Sequence, residues 1–207
     1  MLDASLKPLI EPWLNRVARR LVCLGLTANT ITVCGLVVGL VAAAFIAFGL
    51  YVAGLILILA SRMLDGLDGA VARLNTPTDY GGFLDITLDF VFYGVIPLAF
   101  VIADPSSNAL AGATLIFSFY VNGASFLAYA VMVEKRGLTS SQRGSKSFFF
   151  STGLTEATET IVAFMLFCLF PQWFAPLAWI FAGLCFYTAL SRIVLSRKAL
   201  DQTIDKA

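Results

Sequence analysis

The chain has 207 residues, 59% of them hydrophobic and 13% charged, with a net charge of +1 and a mean hydropathy of +0.86. A soluble domain carries about 45–50% apolar residues, so this composition predicts a polytopic membrane protein of one domain, and the near-neutral charge gives no basis for a nucleic-acid partner. Histidine is absent, which excludes imidazole catalysis and His-rich transition-metal sites.

The first thirty residues carry Lys7, Arg16, Arg19 and Arg20 and lack an early apolar core, so no cleavable signal peptide is expected. Leu9, Ile10, Trp13, Leu14, Val17 and Leu21 recur at helical spacing, with Arg16, Arg19 and Arg20 on other faces. That pattern predicts an amphipathic helix within a lead-in of residues 1–30, lying in the cytoplasmic interface and anchored by Trp13. A solvated lead-in helix is the alternative.

Six apolar stretches follow at about 31–49, 51–72, 82–103, 109–133, 157–171 and 173–193, each near the roughly 20 residues a spanning helix needs. The first contains Gly35 and Gly39, a spacing that permits close helix packing. Between the spans, the turns at residues 49–51, 104–107 and 171–173 hold no Lys or Arg. The lead-in, the loop after Arg73, the loop at 134–158 and the tail at 194–207 hold nearly all of the 14 basic residues. The positive-inside rule then places both termini in the cytoplasm. The expected fold is an all-α integral membrane bundle of six transmembrane helices over residues 31–193. Cys23, Cys34, Cys168 and Cys185 form no CxxC pair and are expected to pack as small hydrophobes.

The second and third spans are interrupted by Asp65, Asp68, Asp85 and Asp89. An ionised Asp at mid-membrane costs roughly 2.5–3.5 kcal/mol, so four unpaired ones would cost on the order of 10 kcal/mol. Divalent cations neutralise such a cluster well, because hard cations prefer oxygen ligands. Asp65 and Asp68 are three residues apart, Asp85 and Asp89 four apart, so each pair shares a helix face. Both pairs lie within roughly 12 Å of the same cytoplasmic turn at a helical rise of about 1.5 Å per residue. Two antiparallel helices can therefore present four carboxylates to each other just below the cytoplasmic surface, a cluster that suits two ions. Gly66 and Gly69 leave room for a ligand to approach the backbone, Ala72 keeps the next turn small, and Arg73 can fork onto phosphate oxygens where the helix exits. Gly81 and Gly82 open the next helix beside the same space, and residues 75–78 read as a turn.

The run Asp65-Gly66-Leu67-Asp68-Gly69-Ala70-Val71-Ala72-Arg73, seven residues, then Gly81 through Asp85 to Asp89 resembles the signature of the CDP-alcohol phosphotransferase family. The spacer is one residue shorter than the usual form, and the shortening falls in the loop. Asn29 and Thr32, in the stretch Leu26 to Thr32, resemble the family's lead into the first span, with Ala28 where Pro is usual. The resemblance implies six transmembrane helices behind an interfacial helix, usually as a homodimer. It also implies transfer of the phosphatidyl group of CDP-diacylglycerol to a small polar alcohol, with release of CMP. Carried across residue by residue, Asp65, Asp68, Asp85 and Asp89 hold two Mg2+ or Mn2+ ions and Asp89 serves as general base. Gly69, Ala72 and Arg73 line the CDP pocket, with Asn29 and Thr32 beside them. Acceptors in the family include glycerol 3-phosphate, inositol or its phosphate, serine and choline, and some members use a soluble CDP-alcohol as donor.

Other polar residues have plainer readings. Arg62 suits a structural ion pair with Asp65 one turn away, and Asn122 an interhelical hydrogen bond. Arg143 and Lys146, in the loop before the fifth span, are either solvated or contact a polar acceptor; Glu156 and Glu159 suit the dipole of the helix start. Phe148, Phe149 and Phe150 are expected to bury in the interface. The alternative function is a membrane cation transporter or channel with the Asp cluster as its ion site, although no polar path is evident on the outward side.

Overall fold

In a computed structural model the described residues are 2–135, 155 and 157–201, with side chains from residue 11 to residue 197. They form α-helices, with no strand among them. The helices are α1 Leu2–Cys23, α2 Ala28–Ala47, α3 Tyr51–Leu74, α4 Asp79–Ala103, α5 Pro105–Lys135, α6 Ala157–Leu169 and α7 Phe174–Asp201, with a 3-10 turn at Pro171–Trp173 before the last. Arg143, Lys146, Phe148, Phe149, Phe150 and Glu156 lie outside the described residues.

Helix ends follow local chemistry. Gly25 and Gly49 adopt φ of +77° and +79° just past α1 and α2. Only a residue without Cβ does so at no steric cost, and their amides close the last turns, Gly25 onto Val22 O and Gly49 onto Ile46 O, both at 2.9 Å. Thr27 caps α2 by accepting from the Thr30 amide, and Thr78 caps α4 by accepting from the Gly81 amide at 3.1 Å. Asp104 caps α5, accepting from the Ser107 amide and the Ser106 hydroxyl, with Pro105 at the first helical position. The residues read as a turn, 75–78, connect α3 to α4.

α2, α4, α5 and the segment Pro171–Arg197 are long and apolar enough to cross a membrane. α3 matches them in length, at 24 residues, but its C-terminal half carries Arg62, Asp65, Asp68 and Arg73. The described part of α6 is shorter, at 13 residues. The outward faces are apolar, for example Val33, Val37 and Val41 on α2, and Val52, Ile56 and Leu59 on α3.

Two layers meet in the core. α2 packs between α3 and α4, while α5 packs against α7 and leans on α4. Gly35 and Gly39 line the approach of α2 to α3: a Cβ at Gly35 would lie 3.4 Å from Leu64 Cβ and 3.5 Å from Ser61 O. The spacing seen in the sequence thus serves packing within the chain. Aromatic rings fill the space between layers, with Phe100 stacked on Phe174 at 4.7 Å between centroids and Phe92, Phe164 and Phe167 fully buried. α1 lays Leu14, Val17, Ala18 and Leu21 against Ile31, Leu67, Ala70 and Val71, while Trp13, Arg16, Arg19 and Arg20 stay exposed. Cys168 and Cys185 are buried as expected, whereas Cys23 and Cys34 are exposed, because they fall on outward faces of their helices.

Candidate active site

The hairpin of α3 and α4 brings carboxylates together as the spacing predicted for three of the four. Asp65, Asp68 and Asp85 offer oxygens that all lie within 4.8 Å of one another. Asp68 is only 5% exposed, and its Oδ2 is buried with no hydrogen-bond partner. A buried unpartnered carboxylate oxygen is costly in an apolar setting, and a cation relieves it. Oxygens bound to one Mg2+ or Mn2+ at about 2.0–2.3 Å stand roughly 3–4.6 Å apart, so small side-chain adjustments would close the trio on an ion. The donor set is all oxygen, which fits a hard divalent cation.

Asp89 lies one turn further along α4, and its Oδ1 is 2.7 Å from Nη1 of Arg62. The same nitrogen is 3.3 Å from Asp65 Oδ1. The expected pair of Arg62 with Asp65 is therefore present, but the shorter contact crosses to α4. Sequence separation hides that contact: the residues are 27 apart. The i,i+3 spacing of Arg62 and Asp65 was the only readable signal.

Beside the trio, towards the turn between α3 and α4, opens a cavity of about 460 Å3. Asp68 and Asp85 form its floor; Asn29, Thr32, Gly69, Ala72, Gly81 and Gly82 form its walls, and residues 75–78 its rim. Of the residues predicted around a nucleotide diphosphate, Asn29, Thr32, Gly69 and Ala72 line this space. Gly69 has no neighbour closer than Arg73 Nη1, 3.6 Å from the place a Cβ would take. Arg73, also expected there, is not among the residues that line the cavity; it is exposed, with Glu11 Oε1 at 4.0 Å from its Nη2. Gly66 differs from expectation. A Cβ there would meet Leu14 Cδ1 at 3.3 Å, so this glycine admits α1 against α3 and does not face the cavity.

A second polar group ties α5 to α7. Arg192 Nη1 donates to the Asn122 carbonyl and to Asn122 Oδ1, both at 2.9 Å, and to Ser125 Oγ at 2.6 Å. Asn122 Nδ2 reaches Thr155 Oγ1, which donates to Thr188 Oγ1 at 3.2 Å. Asn122 is thus the interhelical hydrogen bonder its sequence setting suggested. Arg192 had no visible partner in the sequence, since its acceptors lie about 70 residues away.

The chain is similar to several known proteins. A chain 49% identical over 193 residues, 93% of this chain and 94% of the other, is the inner membrane protein YnjF of Escherichia coli K12. The archaetidylinositol phosphate synthase of Methanothermobacter thermautotrophicus is 42% identical over 91 residues, 44% of this chain and 45% of that one. Among solved structures, the phosphatidylinositol phosphate synthase PgsA1 of Mycobacterium tuberculosis is similar in fold, with 20% identity. Its CDP-DAG complex gives a TM-score of 0.69 over 87% of this chain and 91% of that one, and its complex with manganese and citrate gives 0.71 over 87% of each chain. The sequence profile of CDP-alcohol phosphatidyltransferases matches residues 25–190, which takes in the whole carboxylate hairpin and its cavity, and the chain belongs to that family.

Proposed function

We propose that the protein transfers the phosphatidyl group of CDP-diacylglycerol to the hydroxyl of a small polar alcohol and releases CMP. One observation carries this reading: the open cavity of Asn29, Thr32, Gly69 and Ala72 is floored by Asp68 and Asp85, two members of the carboxylate trio. A nucleotide in that cavity would direct its diphosphate towards the trio. The structural neighbour bound to CDP-DAG supports the choice of donor.

Asp65, Asp68 and Asp85 are the residues that would hold Mg2+ or Mn2+, and a second ion of the expected pair would draw on the same carboxylates. Such ions neutralise charge on the diphosphate and make CMP a better leaving group. The residues of the chain do the rest. Gly69 and Ala72 keep the wall low enough for the nucleotide to lie against α3, and Arg73, one turn beyond Gly69 on the same helix, is proposed to reach a phosphate oxygen. The acceptor oxygen forms a bond to the phosphorus that carries the diacylglycerol, the bond from that phosphorus to the CMP oxygen breaks, and Asp89 takes the hydroxyl proton. Asp89 needs position more than strength as a base, because a loose phosphoryl transition state asks little of the nucleophile. Arg143 and Lys146 are proposed to meet the polar part of the acceptor.

The whole bundle is proposed to span an inner membrane six times as a single domain over residues 1–207 and to pair as a homodimer, with α1 in the interface and both termini and the cavity on the cytoplasmic side. The inner-membrane relative and the apolar outward faces support this placement.

Purified protein supplied with CDP-diacylglycerol, Mg2+ or Mn2+, and separately glycerol 3-phosphate, inositol, inositol phosphate, serine and choline should release CMP with one of them. Metal uptake into proteoliposomes without CMP release would replace this reading with cation transport.

A further inference from the structure

Arg62 lies outside the cavity wall and touches one member of the carboxylate trio, Asp65, and its surroundings fix it closely. It lies one turn before Asp65 on α3, and its side chain is 9% exposed. Its guanidinium carbon stands 3.7 Å from the centroid of the Phe92 ring and 5.8 Å from that of Tyr93. Phe92 is itself fully buried. Nη2 lies 3.4 Å from Ser61 Oγ, and that hydroxyl donates to the Gly35 carbonyl at 2.7 Å. Nε is buried and has no hydrogen-bond partner. The guanidinium is thus held in an orientation that forgoes one of its own hydrogen bonds while aiming Nη1 at Asp89 and Asp65.

That orientation has a consequence for Asp89. Asp85 and Asp89 share a face of α4, and a free Asp89 could turn its carboxylate to the trio. Instead its Oδ1 is held by Arg62 at 2.7 Å, and the trio closes on Asp65, Asp68 and Asp85 without it. The Asp89 side chain is 30% exposed, so the ion pair does not seal the carboxylate from a reactant.

We infer that Arg62 is a positioning residue for Asp89: the α3–α4 ion pair, backed by Phe92, holds Asp89 beside the metal-binding trio but out of it, as the acceptor's base. This rests on the transferase reading above. A flat guanidinium packed on a ring suits the task, because a lysine in its place would keep the charge and lose the fork and the stacking.

The test uses the full chain, with kcat and KM for CDP-diacylglycerol measured alongside Mn2+ affinity by electron paramagnetic resonance without substrate. Arg62→Met should lower kcat roughly 10–100-fold, the scale on which misplacing a reacting or supporting group is felt. KM should stay within about twofold and Mn2+ affinity should not fall, since Arg62 Nη1 also stands 3.3 Å from Asp65 Oδ1 and loss of that cation favours a bound dication. Arg62→Lys should restore part of the lost kcat. In an Asp89→Asn background, Arg62→Met should cost nothing further, because residues that act as a unit are not additive. Native kcat in Arg62→Met, a fall in Mn2+ affinity that tracks the fall in kcat, or an additive loss in the double variant overturns the assignment. If Arg62→Met does not fold, Arg62→Lys carries the test. It must lower kcat several-fold with Mn2+ affinity intact and do so only when Asp89 is present; native kcat in Arg62→Lys sinks the inference. An active Asp89→Asn variant overturns the base role itself, whereas an inactive one beside a fully active Arg62→Met overturns only the positioning.

Discussion

Gly39 of α2 and Phe92 of α4 approach so closely that a Cβ on Gly39 would stand 2.6 Å from Phe92 Cδ2 and 3.1 Å from Ser61 Oγ. Phe92 is fully buried and backs the guanidinium of Arg62, so the ring cannot yield without moving a charged group. Gly39→Ala is expected to destabilise the bundle by about 1–3 kcal/mol, as overpacking does. It should also lower turnover by displacing Arg62. A thermal midpoint equal to that of the native protein would show that the ring has room to shift.

Removal of divalent metal should abolish CMP release, and adding back Mg2+ or Mn2+ should restore it. Asp68→Asn should weaken Mn2+ binding roughly tenfold or more, because it takes a charged oxygen from a closed three-carboxylate group. Asp85→Asn should behave likewise, whereas Asp79→Asn, at the exposed start of α4, should leave affinity unchanged. Calorimetric Mn2+ titration separates these cases and counts the ions.

Asp89→Asn should lower kcat by roughly 10²–10⁴-fold, the usual contribution of a positioned base. Binding of CDP-diacylglycerol should survive, since the cavity wall does not include Asp89. Equilibrium binding of the donor beside single-turnover CMP release distinguishes loss of chemistry from loss of binding.

Gly69 and Ala72 should tolerate bulk structurally but not functionally. A Cβ on Gly69 meets nothing closer than Arg73 Nη1 at 3.6 Å, so Gly69→Leu would extend into the cavity. Its expected signature is a raised KM for the donor with Mn2+ affinity and thermal midpoint near native. Gly66→Leu should do the reverse. Its side chain would collide with Leu14 and loosen α1 from α3, which lowers the midpoint first.

Asp104 supplies a pH dependence at the far end of the bundle. Hydrogen bonds from the Ser106 and Ser107 side chains, then from the Ser107 amide, hold its carboxyl below the ordinary value of 3.8. A group depressed on folding stabilises the native state above its unfolded pKa, and that contribution is lost as pH falls through the folded pKa. The difference in thermal midpoint between native protein and Asp104→Ala should therefore be flat from about pH 5 to 8 and close below about pH 4. A difference that persists unchanged at pH 3 would mean the cap acts without its charge.

The helical segments, and the faces on which their carboxylates lie, were legible in the sequence. Helical period alone places Asp65 with Asp68 and Asp85 with Asp89, and the cost of charge in an apolar span requires a partner for them. It also made the family legible in one contiguous hairpin, where short-range spacing carries nearly all the information. Which groups meet across helices followed only from packing. That choice depends on the rotation and separation of packed helices, set by distant contacts such as Gly39 against Phe92 and Gly66 against Leu14. Hence Arg62, which by spacing belongs to Asp65, makes its shorter contact with Asp89, and Gly66, which by spacing belongs to the ligand, belongs to α1. Arg192 found Asn122 for the same reason. A linear sequence records periodicity within a helix, while the relative rotation of two helices is settled only when their side chains pack.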